Sequence, residues 1–141
     1  MQPSILFAAS VAALVASASA AASDWRTLDK ASAKQPGIEY DAARVKYEAP
    51  YLTTWTRIEL AQAATLSNGV RYRVVLQKVA VDCAKRLWVV TYSEFHDRTE
   101  AAGLPLNSVT VPPEEWDPRP AQAGSSGDKL IRALCTTPRP W

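Results

Sequence analysis

Two cysteines constrain this chain more than any other feature. Cys83 sits in the apolar, β-branched run "VAVDCAKRLWVVTY", and Cys135 lies 52 positions later, closing "LIRALC". A catalytic thiol, a metal ligand, a buried free thiol and half of a disulfide are all open to such residues, and the compartment narrows the choice. The opening "MQPSILFAASVAALVASASAAAS" has no charged side chain, an apolar stretch from Ile5 to Val15, and then small residues. Ala18-Ser19-Ala20 and Ala20-Ala21-Ala22 both fit an A-x-A cleavage site, so residues 1–22 are expected to be a secretory signal peptide. The stretch is shorter than the roughly 20 apolar residues of a membrane span. Export places the mature chain where thiols are oxidised, and two cysteines in a small exported domain most often pair. A Cys83–Cys135 bridge is therefore the expectation, with free thiols and an intermolecular bond as the alternatives. A metal site has little support, because the chain has one histidine, His96, and no C-x-x-C pair. No cofactor is expected.

Cleavage would leave about 120 residues, enough for one core and one domain, 23–135, with a proline-rich tail at 136–141. Sixteen Lys and Arg stand against 14 Asp and Glu, a net charge of +2, and the basic residues are scattered. That pattern argues against dedicated nucleic-acid binding. No second apolar segment approaches spanning length.

Period-two patterning dominates the mature part. "DWRTLDK" is a short extended segment, and Pro36-Gly37 marks a turn. Ile38 and Tyr40, then Val45 and Tyr47, alternate with a change of phase across Asp41 to Arg44, which predicts a bulge or bend. "YLTTWTRIEL" places Leu52, Thr54, Thr56, Ile58 and Leu60 on one parity, a strand pattern; "ELAQAATLSNG" could instead extend it as a helix. Asn68-Gly69 is a hairpin signal. "VRYRVVLQKVAVDC" changes parity near Gln77, predicting a kink. "LWVVTYSEF" returns antiparallel with apolar residues on both parities, and "LPLNSVTVPP" reads as an edge strand bracketed by prolines. In "SSGDKLIRALC", Ser125 can cap a helix with Asp128 three residues on, and Leu130, Ile131, Leu134 and Cys135 share one face. Eleven residues cannot hold a helix in water unaided. The short helix therefore needs the sheet, and Cys83–Cys135 is placed to staple it there.

This arrangement resembles the surface-adhesin protein E-like family of Gram-negative envelope proteins. The residues that carry the resemblance are Trp25, Tyr40-Asp41, Asp82-Cys83 with the basic Lys85-Arg86 behind it, Tyr92, Trp116, Pro118, Ser125/Ser126 and Cys135, in that order. It implies an α+β fold: a single twisted antiparallel sheet of about six strands, with a C-terminal helix packed on one face and tied by the disulfide. It also implies a non-enzymatic adhesin that captures host matrix or plasma proteins, with a homodimer as an option. No cysteine stands at the cleavage boundary, so the lipid anchor of a surface-displayed member is not expected. A periplasmic or secreted location is.

Catalytic chemistry finds little to use. Ser93, His96 and Asp97 in "YSEFHD" stand too close on a strand end to form a triad, because alternate side chains diverge. His96 is expected to be a solvated loop residue. There is no G-x-S-x-G and no H-E-x-x-H. Arg71, Tyr72, Arg73 and Lys78 could form a basic strip on one sheet face that meets a protein partner in the envelope or on a host. Trp55 and Trp88 are expected in the core, and Trp116 over the helix–sheet seam. The expected function is binding. A small periplasmic enzyme, an enzyme inhibitor or a structural envelope protein are the alternatives.

Overall fold

The computed structural model describes residues 22–98 and 103–136. They form eight strands and one α-helix: β1 (Trp25–Asp29), β2 (Gly37–Asp41), β3 (Lys46–Glu48), β4 (Tyr51–Thr65), β5 (Arg71–Asp82), β6 (Leu87–His96), β7 (Asn107–Thr110), β8 (Arg119–Pro120) and α1 (Ser126–Thr136). All pairings are antiparallel, in the order β1-β2-β4-β5-β6-β7, with β3 alongside β4 and β8 alongside β6. The expected α+β architecture is present, with two short strands added to a six-strand path. The expected leader and tail fall outside the described residues, apart from Ala22 and Thr136.

Pairing register assigns each side chain to a face, because residues directly opposite in an antiparallel ladder point the same way. Leu52 pairs with Val81, Thr54 with Val79, Thr56 with Gln77 and Ile58 with Val75. On that face Leu52, Val79 and Val81 join Tyr40 in one buried cluster with Leu130, Ile131 and Leu134 of α1. Burying each such aliphatic side chain contributes roughly 1.5–3 kcal/mol, which is what holds so short a helix. The Oγ of Ser125 accepts from the backbone N–H of Asp128 at 3.3 Å, the expected cap, and the Asp128 carboxylate accepts from the N–H of Gly124 at 2.9 Å. The Cys83–Cys135 disulfide, with Cα atoms 5.5 Å apart, ties the last turn of α1 to the β5–β6 hairpin.

Sequence and structure differ at instructive places. β4 does not turn helical but runs as strand through "ELAQAAT" to Thr65, absorbing a register shift between Glu59 and Ala64. Gly69, at φ +87°, makes the hairpin turn that follows. The bend after Tyr40 is a single 3-10 turn over Ala42–Arg44, capped by the Asp41 carboxylate. No kink interrupts β5 near Gln77: its pairing with β4 is continuous from Val74 to Val81. The irregularity lies in β6, where Thr91 is the extra residue between the Lys78–Tyr92 and Val79–Val90 pairs. Apolar residues occur on both parities of β5 because both faces bury them, Val74 and Ala80 on one, Val75, Val79 and Val81 on the other.

Candidate functional site

The face of the sheet turned away from α1 carries an unusual side-chain set. One row across the strands is Trp55, Lys78, Tyr92 and Thr110; the next is Glu39, Arg57, Leu76, Glu94 and Ser108. Among the described residues no helix covers this face. Trp55 and Tyr92 meet edge to face with ring centroids 5.8 Å apart, on either side of the Lys78 position. Arg57 stacks 4.4 Å from the ring centroid of Trp25 and donates to both carboxylate oxygens of Glu39, at 3.1 and 3.2 Å. Lys78 lies 3.7 Å from Glu48, a half-exposed pair of little intrinsic strength. Farther along, Tyr51 meets Trp116 edge to face at 5.7 Å. Tyr51 is the neighbour of the core residue Leu52 and so points to this outer face.

Tyr92, Glu94 and His96 alternate on β6 and therefore stand in line. The Tyr92 hydroxyl donates to one Glu94 oxygen at 3.0 Å, and the other oxygen lies 3.1 Å from His96 Nε2. Burial raises the pKa of the Tyr92 phenol, and the carboxylate beside it acts in the same direction. The expectation of a solvated His96 is corrected here: the ring closes β6, is 5% exposed and is held by Glu94. Strand alternation is the reason, since i, i+2 and i+4 share a face. Ser93 points to the opposite face, where its Oγ accepts from Gln77 Nε2 at 3.5 Å, so Ser93 and His96 diverge as expected.

The four residues expected to form a basic strip have different surroundings. Tyr72 meets Phe95 edge to face with ring centroids 4.9 Å apart, and Phe95 is paired with the helix-side Val75. Lys78 instead lies in the outer row with Trp55 and Tyr92, and the exposed Arg71 and Arg73 sit near the far end of β5. Arg73 donates to the carbonyl of Ala61. Lys78 stands in the aromatic row. Other expected positions have structural work. Tyr40 is in the core, and Asp41 is fully buried, its Oδ1 accepting from the N–H groups of Asp24 and Ala43 and its Oδ2 lying 3.2 Å from Arg44 Nε. Asp82 accepts from Lys85 N at 3.1 Å in the turn that presents Cys83. Trp88 packs against the helix-side core as expected. Trp55 does not: it is half-buried on the outer face. Trp116 leaves the helix seam for the same face, anchored by its indole N–H on the Val111 carbonyl at 2.9 Å, and half-buried Pro118 leads from it into β8. Parity marks Trp55, Glu94 and His96 as outer-face residues, whereas nothing local in the sequence aims Trp116.

Comparison with known proteins agrees with this architecture. The family model described as Surface-adhesin protein E matches residues 16–136. The chain belongs to the surface-adhesin protein E family. Its fold is similar to that of Haemophilus influenzae protein E in crystal form II, with a TM-score of 0.55 at 12% identity over 70% of this chain and 80% of that one. No curated protein matches the sequence significantly. At such identity the likeness establishes the fold alone. No helix among the described residues is long and apolar enough to cross a membrane.

Proposed function

We propose that this chain is an exported, non-enzymatic binding protein of the bacterial envelope that captures a protein partner, in the envelope or on a host, through the open face of its sheet. The observation that carries the reading is the row Trp55–Lys78–Tyr92 beside the Trp25–Arg57–Glu39 stack: aromatic anchors with compensated charges on a surface that no helix covers among the described residues. Aromatic residues and Arg carry most of the energy in protein interfaces. The family adds an adhesive role for a domain of this build. The edge strand β7, where Val109 is 50% exposed and Leu106 just before the strand is 48% exposed, is where a second copy would pair.

The test is surface capture of the mature domain on immobilised host matrix and plasma proteins and on envelope proteins, repeated with Trp55→Ala/Tyr92→Ala. A partner bound by the wild type should lose at least about tenfold in affinity, the scale of one or two hot-spot residues. Unchanged affinity in a folded double variant would move the contact surface elsewhere.

A further inference from the structure

On the other side of the sheet α1 covers only part of the surface, and a cavity of about 180 Å³ lies between its first turns and the strands. Its walls are Leu28, Ile38, Ile58, Val79 and Leu130, with Trp88 closing one side beside Gly127. Thr56 and Gln77 supply its other side chains from the sheet, and Ser126 from the helix. None of these carries a charge. An apolar cavity of about 150 Å³ already admits benzene, whereas an ion buried without a partner is strongly disfavoured. From this volume and lining we infer that the cavity is a binding site for one small uncharged molecule with a ring-sized apolar body and a single hydroxyl or amide group.

Placement supports it. Five aliphatic side chains and an indole gather from β1, β2, β4, β5, β6 and α1, so no single element's packing explains the space. Thr56 and Gln77 are directly paired neighbours on β4 and β5. They put two uncharged hydrogen-bonding groups side by side in an otherwise apolar cavity, the pattern that orients a small ligand. Gln77 Nε2 is already directed to Ser93 Oγ at 3.5 Å, which turns the amide in one defined direction. The site lies on the opposite face from Trp55, Lys78 and Tyr92, so it stands or falls apart from the partner-binding proposal.

The probe is phenol, which combines the ring and one hydroxyl, with benzoate as the charged control. Titration of the disulfide-bonded protein, followed by methyl resonances in two-dimensional 13C NMR, should give saturable shifts at Leu28, Ile38, Ile58, Val79 and Leu130. Benzoate should bind at least about tenfold more weakly, because its carboxylate finds no cation in the lining. Ile58→Trp fills the cavity and should abolish the shifts while the melting transition remains cooperative; if that variant does not fold, Ile38→Trp serves from the neighbouring strand. Absence of saturable shifts in the wild type would overturn the inference. So would equal binding of phenol and benzoate, or undiminished binding to a folded filled variant.

Discussion

Gly127, in the first turn of α1, lies against the ring of Trp88. A Cβ built there would lie 2.8 Å from Trp88 Cε2 and 3.0 Å from its Nε1, a distance at which the ring plane must move. In a free helix Gly→Ala would stabilise by about 1 kcal/mol. Here the contact reverses the sign, since overpacking a seated side chain costs typically 1–3 kcal/mol. Gly127→Ala should therefore unfold at lower urea than the wild type, by an amount in that range. A stabilised variant would mean that Trp88 yields freely and that close approach is not what selects glycine. Residue-scale logic also governs the outer face. The line Tyr92–Glu94–His96 was readable from parity alone, whereas Tyr72 turns to Phe95 against its parity, beside the register shift in β4. Trp116 was not readable, because its position depends on how the segment between β7 and β8 travels, and no periodicity encodes that.

At the level of elements, α1 is fastened by carboxylates at its first turn as well as by apolar burial. Asp29 of β1 accepts from Ser126 Oγ at 2.9 Å and from the Lys129 ammonium, and these hydrogen bonds lower its pKa, Lys129 contributing most. Asp128 is lowered too, first by the backbone N–H of Gly124 and then by Arg132 and Arg86. Both folded values lie below the unfolded one of about 3.9, so the contribution is fully present above that pH and is lost as pH falls through the folded values. Acid should consequently loosen the helix before neutral conditions show any effect. Thermal unfolding followed by ellipticity at 222 nm between pH 6 and 2.5 should decline below about pH 4, and Asp29→Asn should flatten that decline while lowering stability at pH 6. An acid limb of equal steepness in the variant would show that Asp29 is not a source of it. The capping of α1 was legible in "SSGD", since a cap is a local arrangement. The bridge from Asp29 was not, because it joins residues 97 and 100 positions apart in the chain.

Across the whole molecule the division of labour is between a sheet closed by its own hydrogen bonds and a helix that depends on something else to stay. The ladder β2-β4-β5-β6 is continuous without α1, and Val74 and Ala80 are buried on the face the helix never touches. The helix, by contrast, has three buried aliphatic residues, two carboxylate ties and one covalent bond. This asymmetry was foreseeable from the sequence: long period-two runs build a sheet with local hairpins, and an isolated eleven-residue helix with a cysteine on its apolar face needs a covalent partner. Closing a loop of 52 residues contributes roughly 4 kcal/mol in the chain-entropy model, a large part of a small domain's stability. Reduction should therefore act unevenly. Amide exchange of Leu130 to Cys135 should accelerate by about a thousandfold in the reduced protein or in Cys83→Ser, the factor equivalent to roughly 4 kcal/mol. Val74 to Val81 in β5 should keep most of their protection, because their ladder partners on β4 and β6 remain. Equal acceleration of both sets would mean that helix and sheet unfold as one unit, and the bridge would then be closing the entire domain rather than holding one element on it.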